Sequence, residues 1–148
     1  MKKIFLIIGI STIAIASCKK TKDPEPPAPT CALTTANMIG THKVTAAVYK
    51  PSATAAEQDV YNNPTFFKPC AKDDVLLLKT AGAYQIQDLG TVCSPSNNDI
   101  GNWSLSGTTL TINTQATTVT TFNCTTLIIT QKDALTAGDE IKVTYTRQ

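Results

Sequence analysis

Few side chains in this chain have a type and a spacing suited to chemistry. The sequence contains a single histidine, His42, and an adjacent carboxylate pair near its middle, Asp73 and Asp74. Successive side chains of a strand point to opposite faces, so these two carboxylates cannot easily share a proton. We therefore interpret them as a solvated strand start. Because no second histidine accompanies His42, we expect it at the surface or at the mouth of a barrel, not as a base or a metal ligand.

Three serines and one polar run complete the candidates for catalysis. Ser94, Ser96 and Ser104 could be nucleophiles, but none lies in the Gly-x-Ser-x-Gly sequence of a nucleophile elbow. The run 97–99, Asn-Asn-Asp, lacks the spaced carboxylates of a calcium loop and favours a turn. No catalytic constellation emerges. We expect no enzyme activity, no cofactor and no metal.

The composition favours strands and argues against several classes of protein. Hydrophobic residues make up 42% of the 148 residues and charged residues 16%, which is too apolar for a disordered chain. The abundant threonine, together with valine, isoleucine and tyrosine, is typical of β-sheet. Without Lys2 and Lys3 the chain carries equal numbers of basic and acidic residues, so no excess of positive charge predicts nucleic-acid binding.

The first 17 residues read as a secretory signal peptide. Lys2 and Lys3 precede an uncharged run, 4–16, which is too short to span a membrane as a helix. The sequence 15–18, Ile-Ala-Ser-Cys, resembles the lipobox of bacterial lipoproteins. This resemblance implies cleavage before Cys18, a diacylglycerol on its thiol, and a fatty acyl chain such as palmitate on its new amino group. The alternative is a cleaved, unlipidated signal in which Cys18 is incidental.

Residues 18–30 are predicted to join the lipidated cysteine to a folded domain at 31–148. Four prolines within six positions block helix and sheet and favour an extended tether. The lysines at 19, 20 and 22 are interpreted as solvated neighbours of lipid head groups.

The four remaining cysteines predict two disulfides. An even count in an exported chain indicates a disulfide framework, and the wide gaps argue against zinc, the competing interpretation. Residues 74–79 and 83–88 predict a hairpin that turns between Ala81 and Gly82. This register sets Cys70 opposite Cys93, and Cys31 then pairs with Cys124 by exclusion.

About eight antiparallel strands are predicted, with one short helix near 54–62, where Thr54 and Glu57 fit a capping box. The strands are placed at 38–49, 74–79, 83–88, 102–105, 108–112, 119–124, 126–131 and 141–145. Their short connections favour an up-and-down β-barrel, which leaves room for packed side chains or one small ligand.

Alternating apolar residues predict which side chains fill the barrel. Trp103 is expected opposite Leu110 across the turn at Ser106 and Gly107. For Trp103 itself, we favour a position in the core over a role in stacking on a sugar. The candidates for lining a ligand are Tyr84, Ile86, Trp103, Leu105, Leu110 and Ile112.

Several motifs resemble the lipocalin-like domain of Bacteroidota outer-membrane lipoproteins. They are Cys-Ala-Lys-Asp-Asp from Cys70, Gly-Ala-Tyr from Gly82, Gly-Thr-Val-Cys from Gly90, and Gly-Asn-Trp-Ser-Leu-Ser-Gly from Gly101. The resemblance covers most of 38–147 and implies a lipid-anchored small barrel that binds a small apolar ligand. Such domains usually carry Gly-x-Trp near the first strand, and here His42 stands in place of that tryptophan.

The leading hypothesis is therefore a non-enzymatic, lipid-anchored outer-membrane protein that holds a small apolar ligand. The alternative is a protein-interaction module at the membrane surface, an accessory subunit or an inhibitor with a closed core. In these bacteria, surface export is associated with acidic residues just after the lipidated cysteine. The basic residues that follow Cys18 favour the periplasmic leaflet instead.

Overall fold

The computed structural model describes residues 31–148, the span predicted to form the domain. The predicted signal peptide, Cys18 and the tether lie outside the described residues. A short helix α1 precedes nine strands, and two 3-10 turns cover Pro69–Lys72 and Thr80–Gly82. The elements are α1 Thr35–Met38, β1 Gly40–Lys50, β2 Gln58–Asp59, β3 Val75–Leu78, β4 Ala83–Gln87, β5 Asp99–Ser106, β6 Thr109–Ile112, β7 Gln115–Phe122, β8 Thr126–Lys132 and β9 Glu140–Arg147.

The strands form one antiparallel sheet that closes on itself. Each strand from β3 to β8 pairs with the next along the chain, and β1 pairs with both β3 and β9. Eight strands therefore make a ring, and β2 adds two residues that pair with Val48 and Tyr49 of β1, beyond the stretch of β1 that pairs with β3. The prediction of an all-β fold with about eight antiparallel strands in sequential order is confirmed.

Two bulges interrupt the regular pairing of the ring, one at the β1–β9 closure and one between β7 and β8. Thr45 has no partner on β9, because the register shifts between Val44 and Ala46. Thr120 on β7 is left out of the pairing with β8 in the same way. An extra residue on one strand increases the local bend and twist, which suits a sheet that curves into a ring.

One end of the ring is filled by α1, and we call it the closed end. Met38, the last residue of α1, is completely buried against Leu78, Trp103 and Leu127. The Arg147 guanidinium donates hydrogen bonds to the carbonyl oxygens of Asn37 and Ile39 and so holds α1 in place. The loops at 51–74, 88–98 and 133–139 lie at the other end, which we call the loop end.

A disulfide holds each end. Cys31 pairs with Cys124 at the closed end, with 5.6 Å between their Cα atoms, and Cys70 pairs with Cys93 at the loop end, with 5.2 Å. Both pairings agree with the sequence prediction.

The hairpin register that led to the Cys70–Cys93 pairing is nevertheless wrong by one residue. The turn centres on Ala81, which has a positive φ, as does Gly82, and Leu76 therefore faces Ile86. The cysteines still meet because both lie beyond the last paired residues of the strands, where the one-residue offset is absorbed.

The predicted helix near 54–62 is not formed. Pro51 and Pro64 bracket a segment too short to offset the cost of helix nucleation. Its backbone bonds to β1 instead, since the amides of Val60 and Tyr61 both donate to the Ala47 carbonyl at 3.0 and 3.1 Å. This pairing buries Val60 and creates β2.

The predicted opposition of Trp103 and Leu110 is also wrong. The turn is Gly107–Thr108, so Leu110 faces Leu105 and Trp103 faces Ile112. A shift of two residues preserves the face, and these side chains still lie together inside the ring.

Within residues 31–148, no helix has the length and apolar character needed to cross a membrane.

Candidate functional site

A cavity of about 410 Å³ lies inside the ring towards the loop end. Its apolar lining residues come from β1, β3, β4, β6 and the segment before β3, and its polar ones from β1, β9 and the strand ends near the 88–98 loop. The apolar ones are Val44, Phe67, Ala71, Val75, Leu76, Ile86 and Ile112, and the polar ones are His42, Asp74, Asn97, Asp99 and Tyr145. An apolar cleft with a few polar groups is the usual form of a small-molecule site.

The six residues predicted to line a ligand divide between this cavity and the core beneath it. Ile86 and Ile112 line the cavity. The other four, Tyr84, Trp103, Leu105 and Leu110, are core residues that pack around Met38 and Leu78. Alternation identifies which side chains point inwards, but it does not distinguish a packed level of the ring from an open one.

His42 is buried, contrary to the expectation of a surface or mouth position. It is 1% exposed, because it lies on the inner face of β1 opposite Leu76. Its Nε2–H donates to the Met38 carbonyl oxygen at 2.8 Å, since a carbonyl can only accept. Its other ring nitrogen, Nδ1, is buried without a hydrogen-bond partner among the described residues. Burial, with a smaller effect of the Arg147 charge, lowers the pKa of His42 and outweighs the bond to Met38.

Tyr145 lines the cavity from β9, where it pairs with Val44 on one side and Leu127 on the other. Burial alone raises the pKa of its phenol to about 12, and the hydroxyl makes no hydrogen bond to the described part of the chain. The phenol therefore stays protonated at neutral pH and presents a free donor.

Asp74 lies at the loop end of the cavity and is not the solvated residue that the sequence predicted. Its Oδ2 accepts from Asn97 Nδ2 at 2.8 Å, and its Oδ1 is buried without a partner in residues 31–148. Burial raises the pKa of Asp74, and the nearby charge of Asp88 raises it further. The neighbouring Asp73 faces elsewhere and accepts from the Thr91 amide at 2.9 Å. The carboxylate that lies close to Asp74 therefore belongs to Asp88, just after β4, and not to Asp73.

Asp88 organises the 88–98 loop. Its carboxylate accepts from the amides of Cys93 and Asn97 and from the Ser96 hydroxyl, at 2.7–3.2 Å. The bond from the Asn97 amide is the largest of the effects that lower the pKa of Asp88. Ser96 is therefore a structural donor, and the run 97–99 belongs to the loop that Asp88 shapes.

Asp74, Asp88 and Cys93 bring three atoms within 4.8 Å of one another, a spacing compatible with a metal. Cys93 is disulfide-bonded and cannot offer a thiolate. The oxygens of Asp88 are already taken by protein donors, which leaves no donor set suited to a cation.

The β4–β5 side of the cavity is held by a short hydrogen-bond chain. The Tyr84 hydroxyl donates to Asp99 Oδ2 and accepts from Asn113 Nδ2 at 2.7 Å. This chain fixes Asp99 at the cavity wall and raises the pKa of Tyr84, mainly through the bond to Asp99.

Sequence reasoning missed the most informative polar residues of the cavity, His42 and Tyr145. The alternation Ile141, Val143, Tyr145 is visible in the sequence and could have placed Tyr145 inside. The polarity of His42 argued for the surface, and only the position of β1 between β3 and β9 buries it.

No family model, no curated protein and no solved structure matches this chain.

Proposed function

We propose that this chain is a lipid-anchored outer-membrane lipoprotein whose ring of strands acts as a lipocalin-like barrel and holds a small apolar ligand. The observation that carries the proposal is the cavity of about 410 Å³ inside the ring. Its volume is in the range of known small-molecule sites, and most of its lining residues are apolar.

The position of the cavity supports binding over simple packing. The closed end is filled by Met38 and the core around it, whereas the cavity lies beyond His42 towards the loops. A ligand that enters from the loop end would meet the walls formed by Val44, Leu76 and Ile86. It would replace water on these apolar surfaces, which favours binding.

The anchor is proposed from the sequence 15–18 and Cys18. Lipidation there would hold the domain at the membrane, and the basic residues after Cys18 favour the periplasmic leaflet. Two or more acyl chains give stable attachment. The test is a Cys18→Ser variant, which should leave the membrane fraction and lose the mass of the acyl chains.

The ligand is tested by native mass spectrometry of the full chain, gently extracted from its own membranes. We expect an additional mass of a few hundred daltons that is lost when the protein unfolds. A bare protein mass, together with no uptake of a neutral fluorescent probe, would contradict the proposal.

A substitution that fills the cavity tests the same proposal. Val44→Trp places a large side chain in the cavity and should abolish binding, whereas Val92→Trp alters a side chain that is 61% exposed and should leave binding unchanged. Circular dichroism and thermal melting show whether both variants are folded.

The alternative, a protein-interaction module, is favoured by a different observation. Five large apolar side chains of the described region are exposed, in or beside the segments of the loop end: Phe66, Leu89, Val92, Ile100 and Leu135. Large apolar side chains exposed at one end of a domain favour an interaction surface there. Crosslinking in cells tests this alternative, and a partner captured by wild type but not by Val92→Asp would support it.

A further inference from the structure

Two polar groups of the cavity wall, the buried Nδ1 of His42 and the phenol of Tyr145, make no hydrogen bond to the described residues, and their chemistry indicates the class of ligand. This inference rests on the proposed function and adds the class of ligand. His42 and Tyr145 lie on the inner face of neighbouring strands, where His42 pairs with Arg147 and Tyr145 is two residues before it. Such diagonal neighbours lie roughly 7–8 Å apart, within reach of one another's side chains. One small group can therefore contact both.

His42 requires a donor from the ligand. Its Nε2–H is used by the Met38 carbonyl, so in the neutral ring Nδ1 carries the free lone pair. Burial and the Arg147 charge disfavour the protonated ring, as the lowered pKa of His42 reflects. A buried acceptor without a partner is unfavourable, and a ligand that donates to it removes this penalty.

Tyr145 offers a donor to the ligand. Its phenol is protonated and has no hydrogen-bond partner within the described span. A group that accepts from Tyr145 and donates to His42 satisfies both residues at once. The hydroxyl of an alcohol has both capacities, whereas an ether can only accept.

The charges around the cavity argue against an anion. Asp74 and Asp99 line it, and Asp88 lies next to Asp74. Arg147 is the nearby cation, and its guanidinium is occupied by the carbonyl oxygens of Asn37 and Ile39. A carboxylate head group would face these acidic side chains without a free positive partner.

We propose that the cavity selects an uncharged, aliphatic molecule that carries a hydroxyl group, and that this hydroxyl donates to Nδ1 of His42 and accepts from the phenol of Tyr145. The aliphatic part lies against Val44, Leu76 and Ile86. The two polar residues thus act as a specificity element at the end of an apolar site.

The test compares three molecules of similar size that differ only in the head group. The full chain with Cys18→Ser, which cannot be lipidated, is loaded with the neutral probe N-phenylnaphthylamine, and the probe is displaced at neutral pH. The competitors are octanol, its isomer methyl heptyl ether, and octanoate. We expect octanol to bind about tenfold more tightly than the ether, since the ether leaves His42 Nδ1 unpaired, and more tightly than octanoate.

Two variants assign the preference to the proposed residues. Tyr145→Phe removes one oxygen and should weaken octanol and the ether alike, because both lose the same donor. His42→Phe should abolish the preference for octanol over the ether. Tyr49→Phe is the matched control, because its hydroxyl donates to Asp139 outside the cavity, and it should leave all three affinities unchanged.

The outcomes separate this inference from the proposed function. Equal binding of octanol and the ether by the wild type, or tighter binding of octanoate, would overturn the inference while ligand binding stands. Failure of the probe and of all three competitors to bind would overturn the proposed function itself. If His42→Phe does not fold, the comparison of octanol with the ether in wild type and Tyr145→Phe still decides the question.

Discussion

Tyr84 and Gly101 face each other across β4 and β5, and the tyrosine ring occupies the space that a side chain at position 101 would need. A Cβ atom built on Gly101 would lie 2.7 Å from Tyr84 Cε1 and would also clash with Asn113 Oδ1. The glycine is thus required by the hydrogen-bond chain that joins Tyr84 to Asp99 and Asn113. Its role is steric, since its φ is ordinary.

Gly101→Ala is therefore expected to destabilise the fold by about 1–3 kcal/mol, the range for overpacking a core position. Urea denaturation at neutral pH measures the change. Adding Asn113→Gly relieves one of the two clashes at a position whose φ is positive, and should restore part of the stability. An unchanged denaturation midpoint in Gly101→Ala would show that the tyrosine ring moves aside freely.

Asp139 is expected to link stability to acid pH. It is 2% exposed and accepts from the amides of Ala134, Leu135 and Thr136 and from the Tyr49 hydroxyl. Burial alone would raise the pKa of Asp139, but these donors outweigh it and the pKa is lowered. A carboxylate with a lowered pKa stabilises the fold above the ordinary aspartate pKa of about 3.9, and this contribution is lost as the pH falls through the folded-state value.

Asp139→Asn should consequently lower the melting temperature at neutral pH and flatten its dependence on pH below about 4. Thermal melts followed by circular dichroism from acid to neutral pH test this. Asp133→Asn, in the same loop, is the control, because Asp133 is exposed and, within residues 31–148, its carboxylate accepts only from the Gly138 amide. Parallel pH profiles for wild type and Asp139→Asn would contradict the assignment.

The two disulfides should differ in what they contribute to stability. Their cysteines are separated by 93 residues for Cys31–Cys124 and by 23 for Cys70–Cys93. In the chain-entropy treatment, a longer loop constrains the unfolded chain more, so the expected losses are about 4–5 and about 3 kcal/mol. Paired cysteine-to-serine variants, compared by urea denaturation, measure both.

A larger loss for the Cys70–Cys93 variant than for the Cys31–Cys124 variant would reverse this order. It would indicate that the loop end depends on its disulfide for native packing and not only for chain entropy.

Trp103 should report on folding and not on the ligand. It is buried in the core and donates from Nε1 to the Lys79 carbonyl at 3.0 Å, but it does not line the cavity. Trp103→Phe should destabilise the protein by about 1–3 kcal/mol, through the lost hydrogen bond and the smaller ring. Displacement of the neutral probe by octanol should keep its wild-type affinity.

Ile86→Ala is the complementary variant, because Ile86 lines the cavity and pairs with Leu76. It should weaken octanol binding as well as stability. A loss of affinity in Trp103→Phe equal to that in Ile86→Ala would show that the cavity reaches further towards the closed end than we infer.

Local features of the sequence were sufficient to predict the strands and the disulfides. Alternation with a period of two depends only on neighbours in the chain, and it places Tyr84, Ile86, Leu110 and Ile112 on inner faces. The Cys70–Cys93 pairing also follows from a single hairpin. Its prediction tolerates a one-residue error in register because both cysteines lie beyond the paired strands.

The tertiary structure decided the features that depend on distant parts of the chain. β1 and β9 are about a hundred residues apart in sequence, and their pairing closes the ring and buries His42 beside Tyr145. The segment around Val60 carries local helix signals, yet its amides bond to Ala47 because that edge of β1 offers a free carbonyl. Whether a side chain is buried, and whether its polar atoms find hydrogen-bond partners, depends on the assembled sheet. For that reason the cavity and the burial of His42 in its wall could not be predicted from periodicity alone.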